Sequence, residues 1–265
     1  MMQGKWRPSP AIKATAAMHA AAALALGAGI AWPWAAGVLL ANHAALTAAG
    51  LWPRSRWLGA NLLDLSDAAR EARQVAITID DGPNPNVTPA VLDILDMFGA
   101  KASFFCVGKE VQAHPALARE IVRRGHGIEN HSYAHRHHFS LMTMGALRGE
   151  ISQAQDIIYQ TTGRAPQYFR APAGLRNPLL DPVLHSLDLK LATWTRRGFD
   201  TVTPNPDTVL ARLEKHLGPG DVLLLHDGNC AHTLLGQPVI LEVLPKLLES
   251  FRQKGFQAVT LADAA

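Results

Sequence analysis

Cysteine is almost absent: Cys106 and Cys230 are the pair in 265 residues. Two thiols cannot build a disulfide framework or a cysteine-based zinc site, and they do not fix a redox compartment. Acidic side chains are missing altogether from the first 57 positions, which carry Lys5, Arg7, Lys13, Arg54 and Arg56. The formal net charge of +3 therefore belongs to that segment, since the rest of the chain holds 20 bases against 22 acids. A slightly acidic body argues against nucleic acid as a partner. Charged residues are only 18% of the chain and hydrophobic ones 48%, too apolar for disorder and enough for a sizeable core. No sequence repeat is evident, and the length suits one large domain or two smaller ones.

Charge is also lacking from Ala11 to Leu51, where Lys13 is the one full charge and His19, Asn42 and His43 are the other strongly polar groups. A spanning helix needs about 20 mainly apolar residues, and this run is about twice that length. Ala31-Trp32-Pro33-Trp34 interrupts it near the middle, with tryptophans suited to a membrane interface and a proline suited to a connection. The pattern predicts a hairpin of two helices, roughly Ile12–Ile30 and Ala35–Leu51, in contact with membrane lipid. By the positive-inside rule the basic residues on either side of it lie in the cytoplasm, with the downstream domain on that side of the inner membrane. A signal peptide fits less well, because the apolar stretch is too long and no clear cleavage site ends it. A buried or interfacial alanine-rich helical pair is the plainer alternative.

Residues 58–73 are polar without a clear strand and are expected to be a linker. From 74 to 265 apolar runs alternate with helical patterns. Strands are predicted at Val75–Ile79, Ala102–Val107, Gly127–Asn130, Tyr168–Arg170, Leu189–Trp194, Val222–His226 and Ala258–Leu261. Helices lie between them. Thr88-Pro89 opens the first, with Val91, Leu92, Leu95 and Phe98 as its apolar stripe. Thr143 caps another that Gly163 stops. Repeated strand–helix units imply right-handed crossovers and an α/β fold with a parallel sheet or barrel.

Four of the predicted strands end in polar clusters: Asp80-Asp81, Asn130-His131-Ser132-Tyr133-Ala134-His135, Arg170-Ala171-Pro172-Ala173-Gly174 and His226-Asp227. In an α/β barrel functional groups gather at the C-terminal strand ends, so the four can converge on one mouth. His131 and His135, four apart, can face one ion from a helical turn or a tight loop. One carboxylate of the aspartate pair would complete a two-histidine, one-aspartate site with open positions, suited to Zn²⁺ or another divalent transition metal. Taken singly, each motif has a plain alternative, a turn for Asp-Asp-Gly-Pro and core or rim positions for the histidines.

In combination they resemble a family. Thr78-Ile79-Asp80-Asp81-Gly82-Pro83 looks like the first signature of the polysaccharide deacetylases, the NodB-homology or family 4 carbohydrate esterases. His131-Ser132-Tyr133-Ala134-His135 is similar to the second, Arg170 through Gly174 to the third, and Leu224-Leu225-His226-Asp227 to the last. The resemblance covers about Gln74–Leu261. It implies a distorted (β/α) barrel and metal-dependent hydrolysis of an N-acyl group on an amino sugar, in a polysaccharide, an oligosaccharide or a lipid-linked glycan. It also implies roles: Asp81, His131 and His135 as metal ligands, Asp80 as general base, Arg170 holding Asp80, His226 as general acid, and the Ala173 N–H facing the oxyanion beside Pro172.

The chain departs from the family's pattern in two places. The third signature usually carries an aromatic residue where Ala173 stands. In Trp194-Thr195-Arg196-Arg197-Gly198-Phe199-Asp200-Thr201, Arg197 falls where an acid is usual, and Asp200 keeps the second acid position. Asp200 is then either a partner of His226 or a solvated turn carboxylate. Trp194 and Arg197 are candidate substrate contacts; Arg196 and Arg197 either greet an anionic group such as a phosphate or form a solvated pair. His137 and His138 are either spare ligands or rim residues. The competing functions are a deformylase or amidase of a non-polymeric substrate on the same fold, and a membrane-anchored glycan-binding protein without catalysis.

Overall fold

The structure, a computed structural model, describes residues 5–265. Two helices come first, α1 (Pro10–Gly27) and α2 (Trp32–Leu51), followed by the short α3 (Asp67–Glu71). The body then runs β1 (Gln74–Asp80), α4 (Thr88–Met97), β2 (Ala102–Cys106), α5 (Gly108–Ala113), α6 (Pro115–Arg123), β3 (Gly127–Asn130), α7 (Met144–Thr162) and β4 (Tyr168–Phe169). It continues with α8 (Leu180–Ser186), β5 (Lys190–Leu191), β6 (Arg196–Arg197), α9 (Pro206–Glu214), β7 (Val222–His226), α10 (Val239–Lys254), β8 (Gln257–Val259) and α11 (Leu261–Ala264).

All pairings in the sheet are parallel, in the order β5-β4-β3-β2-β1-β7-β6, with β8 added to β1. Laid flat, seven strands at about 4.8 Å spacing would put the two edges about 29 Å apart. Yet the edge strands β5 and β6 are separated by only residues 192–195, a stretch that reaches at most about 18 Å. The sheet must therefore curl, and the result is an open half-barrel whose strand C-termini face one mouth. β1, β2 and β7 are buried along nearly their whole length, as parallel strands covered by helices should be. The main core joins these strands to the stripes of α4, α6, α9 and α10.

Two local signals act where the sequence predicts them, whereas Thr88, expected as a cap, is the first residue of α4 and gives its hydroxyl to Asp227 across the fold. The Thr143 hydroxyl accepts from the Ala146 N–H and Gly163 ends α7 at φ 71°. The predicted Leu189–Trp194 strand is in fact β5 alone, two residues long, with a second strand, β6, beyond it. β6 gives no sequence signal because it consists of two arginines; its pairing with Leu223 and Leu224 makes it a strand. Residues 58–73 are not a free linker. Leu62 bridges Ala192, while Leu65 and Ala69 join Val222, Val259 and Tyr168 in a second apolar cluster.

The N-terminal helices fold back on each other, but the break lies at Ala28–Ala31. Trp32-Pro33-Trp34 forms the first turn of α2, where proline lacks no needed hydrogen bond. The Thr15 hydroxyl donates to Asn42 Oδ1 at 3.1 Å, and the Nε2 atoms of His19 and His43 lie 3.2 Å apart. Among the described residues α2 is the one helix long and apolar enough to cross a membrane. Leu24, Ile30, Trp32, Trp34 and Leu40 lie exposed on the pair. Its base is docked on the body through Leu46, Ala49 and Leu58, and the Arg176 N–H donates to the Gly50 carbonyl at 3.1 Å.

Phe104, fully buried at the centre of β2, tests this core. Phe104→Ala should destabilise the fold by about 3–5 kcal/mol, read from urea unfolding followed by circular dichroism. A loss below about 1 kcal/mol would mean that β2 is not central.

Candidate active site

Parallel register sets the site's frame. Asp80, the last residue of β1, is level with His226 on β7, and Asn130 on β3 is level with Phe169 on β4. Four strand ends thus deliver their polar residues to one mouth.

Asp80 and Asp81 would point to opposite faces if the strand simply continued. Asp81 instead has φ 78°, a left-handed conformation that aspartate tolerates better than most residues. The turn brings both carboxylates to one imidazole: His131 Nε2 lies 3.7 Å from Asp80 Oδ2 and 3.3 Å from Asp81 Oδ1. His135 Nε2 lies 3.2 Å from the same Asp81 oxygen. His131 and His135 meet through a tight loop, not a helical turn, with φ 64° at Ser132 and 46° at His135. Asn130 Oδ1 accepts from the Ser132 N–H, Ser132 Oγ from the His135 N–H, and Glu150 Oε2 of α7 from the Ala134 N–H.

The donor atoms of Asp81, His131 and His135 all lie within 4.8 Å of one another. Three observations fit them to a cation. Asp81 Oδ1 is buried and, among the described residues, has no hydrogen-bond partner. His131 Nδ1 lies 2.8 Å from the Arg170 carbonyl, an arrangement that puts the proton there and leaves the Nε2 lone pair facing the site. The electrostatics also ask for positive charge. Burial opposes protonation of His131, yet the Asp80 and Asp81 carboxylates outweigh it and raise the pKa. For Asp81 burial pulls upward, but the neighbouring imidazoles of His131, His226 and His135 hold its carboxyl well below the usual range. Burial and the neighbouring His131 lower the pKa of His135, keeping its nitrogen available as a donor.

Arg170 sits beneath the site, fully buried. Its guanidinium donates to Asp80 Oδ1 at 2.6 Å, to Thr78 Oγ1 at 2.8 Å, and to the Ala192 and Thr193 carbonyls at 3.2 and 2.8 Å. It stacks on Phe105 at 4.0 Å. Asp80 is thus held through one oxygen, with the other toward the mouth.

On the far side Asp200 accepts twice from His226, from the backbone N–H at 2.7 Å and from Nδ1 at 2.9 Å. Burial would lower the His226 pKa, but the Asp200 carboxylate prevails and pushes it up to about 9. Asp200 is fully buried, not a solvated turn residue. Ala173 is exposed at φ 55° between buried Pro172 and Gly174. Trp194 is buried against Gly174, where an added Cβ would come within 2.6 Å of its ring.

Arg196 and Arg197 diverge, as adjacent strand residues must. Arg196 pairs with Asp221 at 2.9 Å and caps the Lys215 and His216 carbonyls. Arg197 is half-buried, with its guanidinium over Trp194. His137 and His138 are exposed and outside the three-residue group, and Cys106 and Cys230 are buried free thiols. Sequence reasoning missed Glu150, Asn229 and the Thr88–Asp227 pair. Asn229 donates to Asp81 Oδ2 at 3.1 Å, and Asp227 binds the Thr88 hydroxyl, with burial pushing its carboxyl up to about 7. The sequence marks Asp227 as part of the last polar strand end but not its partner Thr88, and nothing local marks Glu150.

Known proteins match this arrangement. A polysaccharide deacetylase family model fits residues 67–192. A peptidoglycan-N-acetylglucosamine deacetylase of Bacillus cereus is 30% identical over 191 residues, 71% of this chain and 86% of its own length. A chitooligosaccharide deacetylase of Azorhizobium caulinodans is 32% identical over 168 residues, 62% of this chain and 80% of its own. A solved peptidoglycan N-acetylglucosamine deacetylase superposes with a TM-score of 0.69 at 25% identity, covering 77% of this chain and 91% of that one. With the curled parallel barrel, the aspartate–histidine–histidine group and relatives spanning most of the body, the chain belongs to the polysaccharide deacetylase family.

Proposed function

We propose that this protein removes the N-acetyl group from an N-acetylglucosamine-type sugar, with Asp81, His131 and His135 holding a divalent ion, Zn²⁺ or another transition metal. The observation that carries this reading is the pair of fixed proton-transfer groups flanking the three ligands, Asp80 oriented by Arg170 and His226 charged by Asp200. The metal, when bound, polarises the acyl carbonyl and acidifies water. Asp80 Oδ2, free of Arg170, accepts the proton of the attacking water. Water oxygen bonds to the acyl carbon, the C–N bond breaks, and His226 Nε2 gives its proton to the departing amine. Ala173, left-handed and exposed, offers its N–H to the oxyanion, and Pro172 and Trp194 wall the sugar side. The names of the relatives, acting on peptidoglycan and chitooligosaccharides, support the sugar class. The N-terminal pair serves as the membrane anchor with both ends cytoplasmic, a reading supported by the length and apolarity of α2 and by the basic residues on either side of the pair.

His135→Ala should lose most of the bound metal, measured by elemental analysis of the purified protein. Full occupancy in both His131→Ala and His135→Ala would refute the ligand set. Asp80→Asn should keep the metal and lower kcat by about 10²–10⁴-fold. The change strands the buried Arg170 charge, so some stability is lost with it, and metal and activity are to be scored on folded protein. Metal loss in Asp80→Asn with retention in Asp81→Asn would reverse the two roles.

Asp200→Asn tests the acid. Asp200 raises the His226 pKa, so the protonated form survives to higher pH, and removing the carboxylate lowers it. The basic limb of the pH–rate profile should then move down by roughly one to three units. An unmoved limb would detach His226 from that step.

For topology, single cysteines at Arg7 and Arg56 should label from one side of the membrane and one at Trp32 from the other. Opposite sides for Arg7 and Arg56 would leave a single span.

A further inference from the structure

The loop that leaves β7 after His226 lies against the turn that follows β1. The Asp227 N–H donates to the Asp80 carbonyl at 3.2 Å. A Cβ added at Gly228 would come within 2.7 Å of the Asp81 Cβ and overlap the Asp81 carbonyl oxygen, so this approach requires glycine. A Cβ at Gly82 would overlap the Asp227 carboxylate, which the Thr88 hydroxyl binds from the start of α4. Residues 226–228 are thus fastened to residues 80–82, and Asn229 comes next along the chain.

Asn229 is exposed, yet its side chain turns back to the site, where Nδ2 donates to Asp81 Oδ2 at 3.1 Å. An ionised carboxylate only accepts, so the NH₂ end of the amide must face it. The other oxygen, Oδ1, lies 3.3 and 3.2 Å from the Nε2 atoms of His131 and His135 and is buried without a hydrogen-bond partner among the described residues. One oxygen therefore holds an amide and the other is left to a cation. Aspartate by itself does not keep them so. Its terminal torsion is broad, and rotation about it swings the carboxylate plane away from the imidazoles. The left-handed backbone of Asp81 fixes where its Cβ points but not that last rotation. Among the described residues, Asn229 is the one side chain hydrogen-bonded to Oδ2.

A neutral amide suits this duty. A lysine or arginine there would hold the oxygen but repel the ion, and a carboxylate would push Asp81 away. We propose that Asn229 is a positioning residue of the metal centre: by holding Oδ2 it keeps Oδ1 turned to the ion and makes Asp81 a one-oxygen ligand. This rests on the ligand set of the reading above. One loop then supplies the acid, through His226, and orients a metal ligand, through Asn229. Outer partners of this kind are worth about 10–100-fold in metal affinity.

The full chain in detergent micelles, stripped of metal, is titrated with Zn²⁺ against a chromophoric chelator and separately with Co²⁺ followed by visible absorption, which responds to the number of ligands. Asn229→Ala should weaken Zn²⁺ binding by about 10–100-fold and change the saturated Co²⁺ spectrum, because a freed carboxylate can turn both oxygens to the ion. Asn229→Gln, which keeps an amide on the same exposed loop, should recover most of the affinity. Unchanged affinity and spectrum in Asn229→Ala would overturn the proposal. So would an equal loss in Asn229→Gln, since the effect would then belong to the loop and not to the amide. Asn229 also lines the mouth cavity beside His135, so direct contact with substrate is the competing role. That role predicts a raised KM for N-acetylchitotriose at saturating Zn²⁺ with Zn²⁺ affinity unchanged, a result that overturns positioning. His135→Ala controls for the ligand set. Wild-type Zn²⁺ affinity in His135→Ala would sink the metal reading itself, whereas loss there with none in Asn229→Ala removes this proposal alone.

Discussion

The site depends on one buried ion pair. Arg170 is without solvent contact, and a guanidinium in that position is tolerable only because its donors are used by Asp80, Thr78 and the carbonyls of Ala192 and Thr193. Those partners come from β1 and from the chain leaving β5, while Arg170 itself follows β4 and its own carbonyl fixes the His131 tautomer. One side chain therefore sets the orientation of Asp80, the ring nitrogen that His131 presents, and the closure of the curled sheet at its β5 edge. Replacing it by an apolar residue of similar volume could leave a stable core, but Asp80 would become an unpaired buried carboxylate.

Around that pair the backbone is bent where chemistry needs it. Asp81, Ser132, His135, Ala173 and Phe199 all have positive φ, and all lie on loops that follow strands toward the mouth. Such conformations are costly for residues other than glycine and persist because neighbouring bonds over-determine them. Asn130 and Glu150 do this for the histidine loop, and Asn229 holds the second oxygen of Asp81. The strain brings two carboxylates to one imidazole and two imidazoles to one carboxylate oxygen, which an extended strand and an open loop would not do.

The N-terminal helices are joined to the same wall. Pro53, the second residue after α2, packs on Gly174, where an added Cβ would sit 2.8 Å from Pro53 Cβ, and Gly174 in turn touches Trp194. A displacement of the hairpin end would therefore be felt at the segment that carries Ala173. The hairpin is a structural neighbour of the catalytic mouth as well as an apolar pair.

The alternation of strands and helices, the caps at Thr143 and Gly163, and the four polar strand ends were legible along the chain, because periodicity and capping are local. The sequence also marked Asp80, Asp81, His131, His135, Arg170 and His226 as residues to watch, through their order along the chain. Tertiary structure decided the rest. β6 exists only because Leu223 and Leu224 pair with it. Residues 58–73, polar enough to read as a linker, are packed by contacts to strands more than a hundred positions away. Asp200 was ambiguous until β7 placed His226 beside it, and Glu150 was invisible because its partner, the Ala134 N–H, belongs to a loop shaped by left-handed residues. Arg196 and Arg197 read alike in sequence. The pleat of a two-residue strand sent one to Asp221 and the other to an open cavity, since a side chain's role follows from the face it is given and that face is set by long-range pairing.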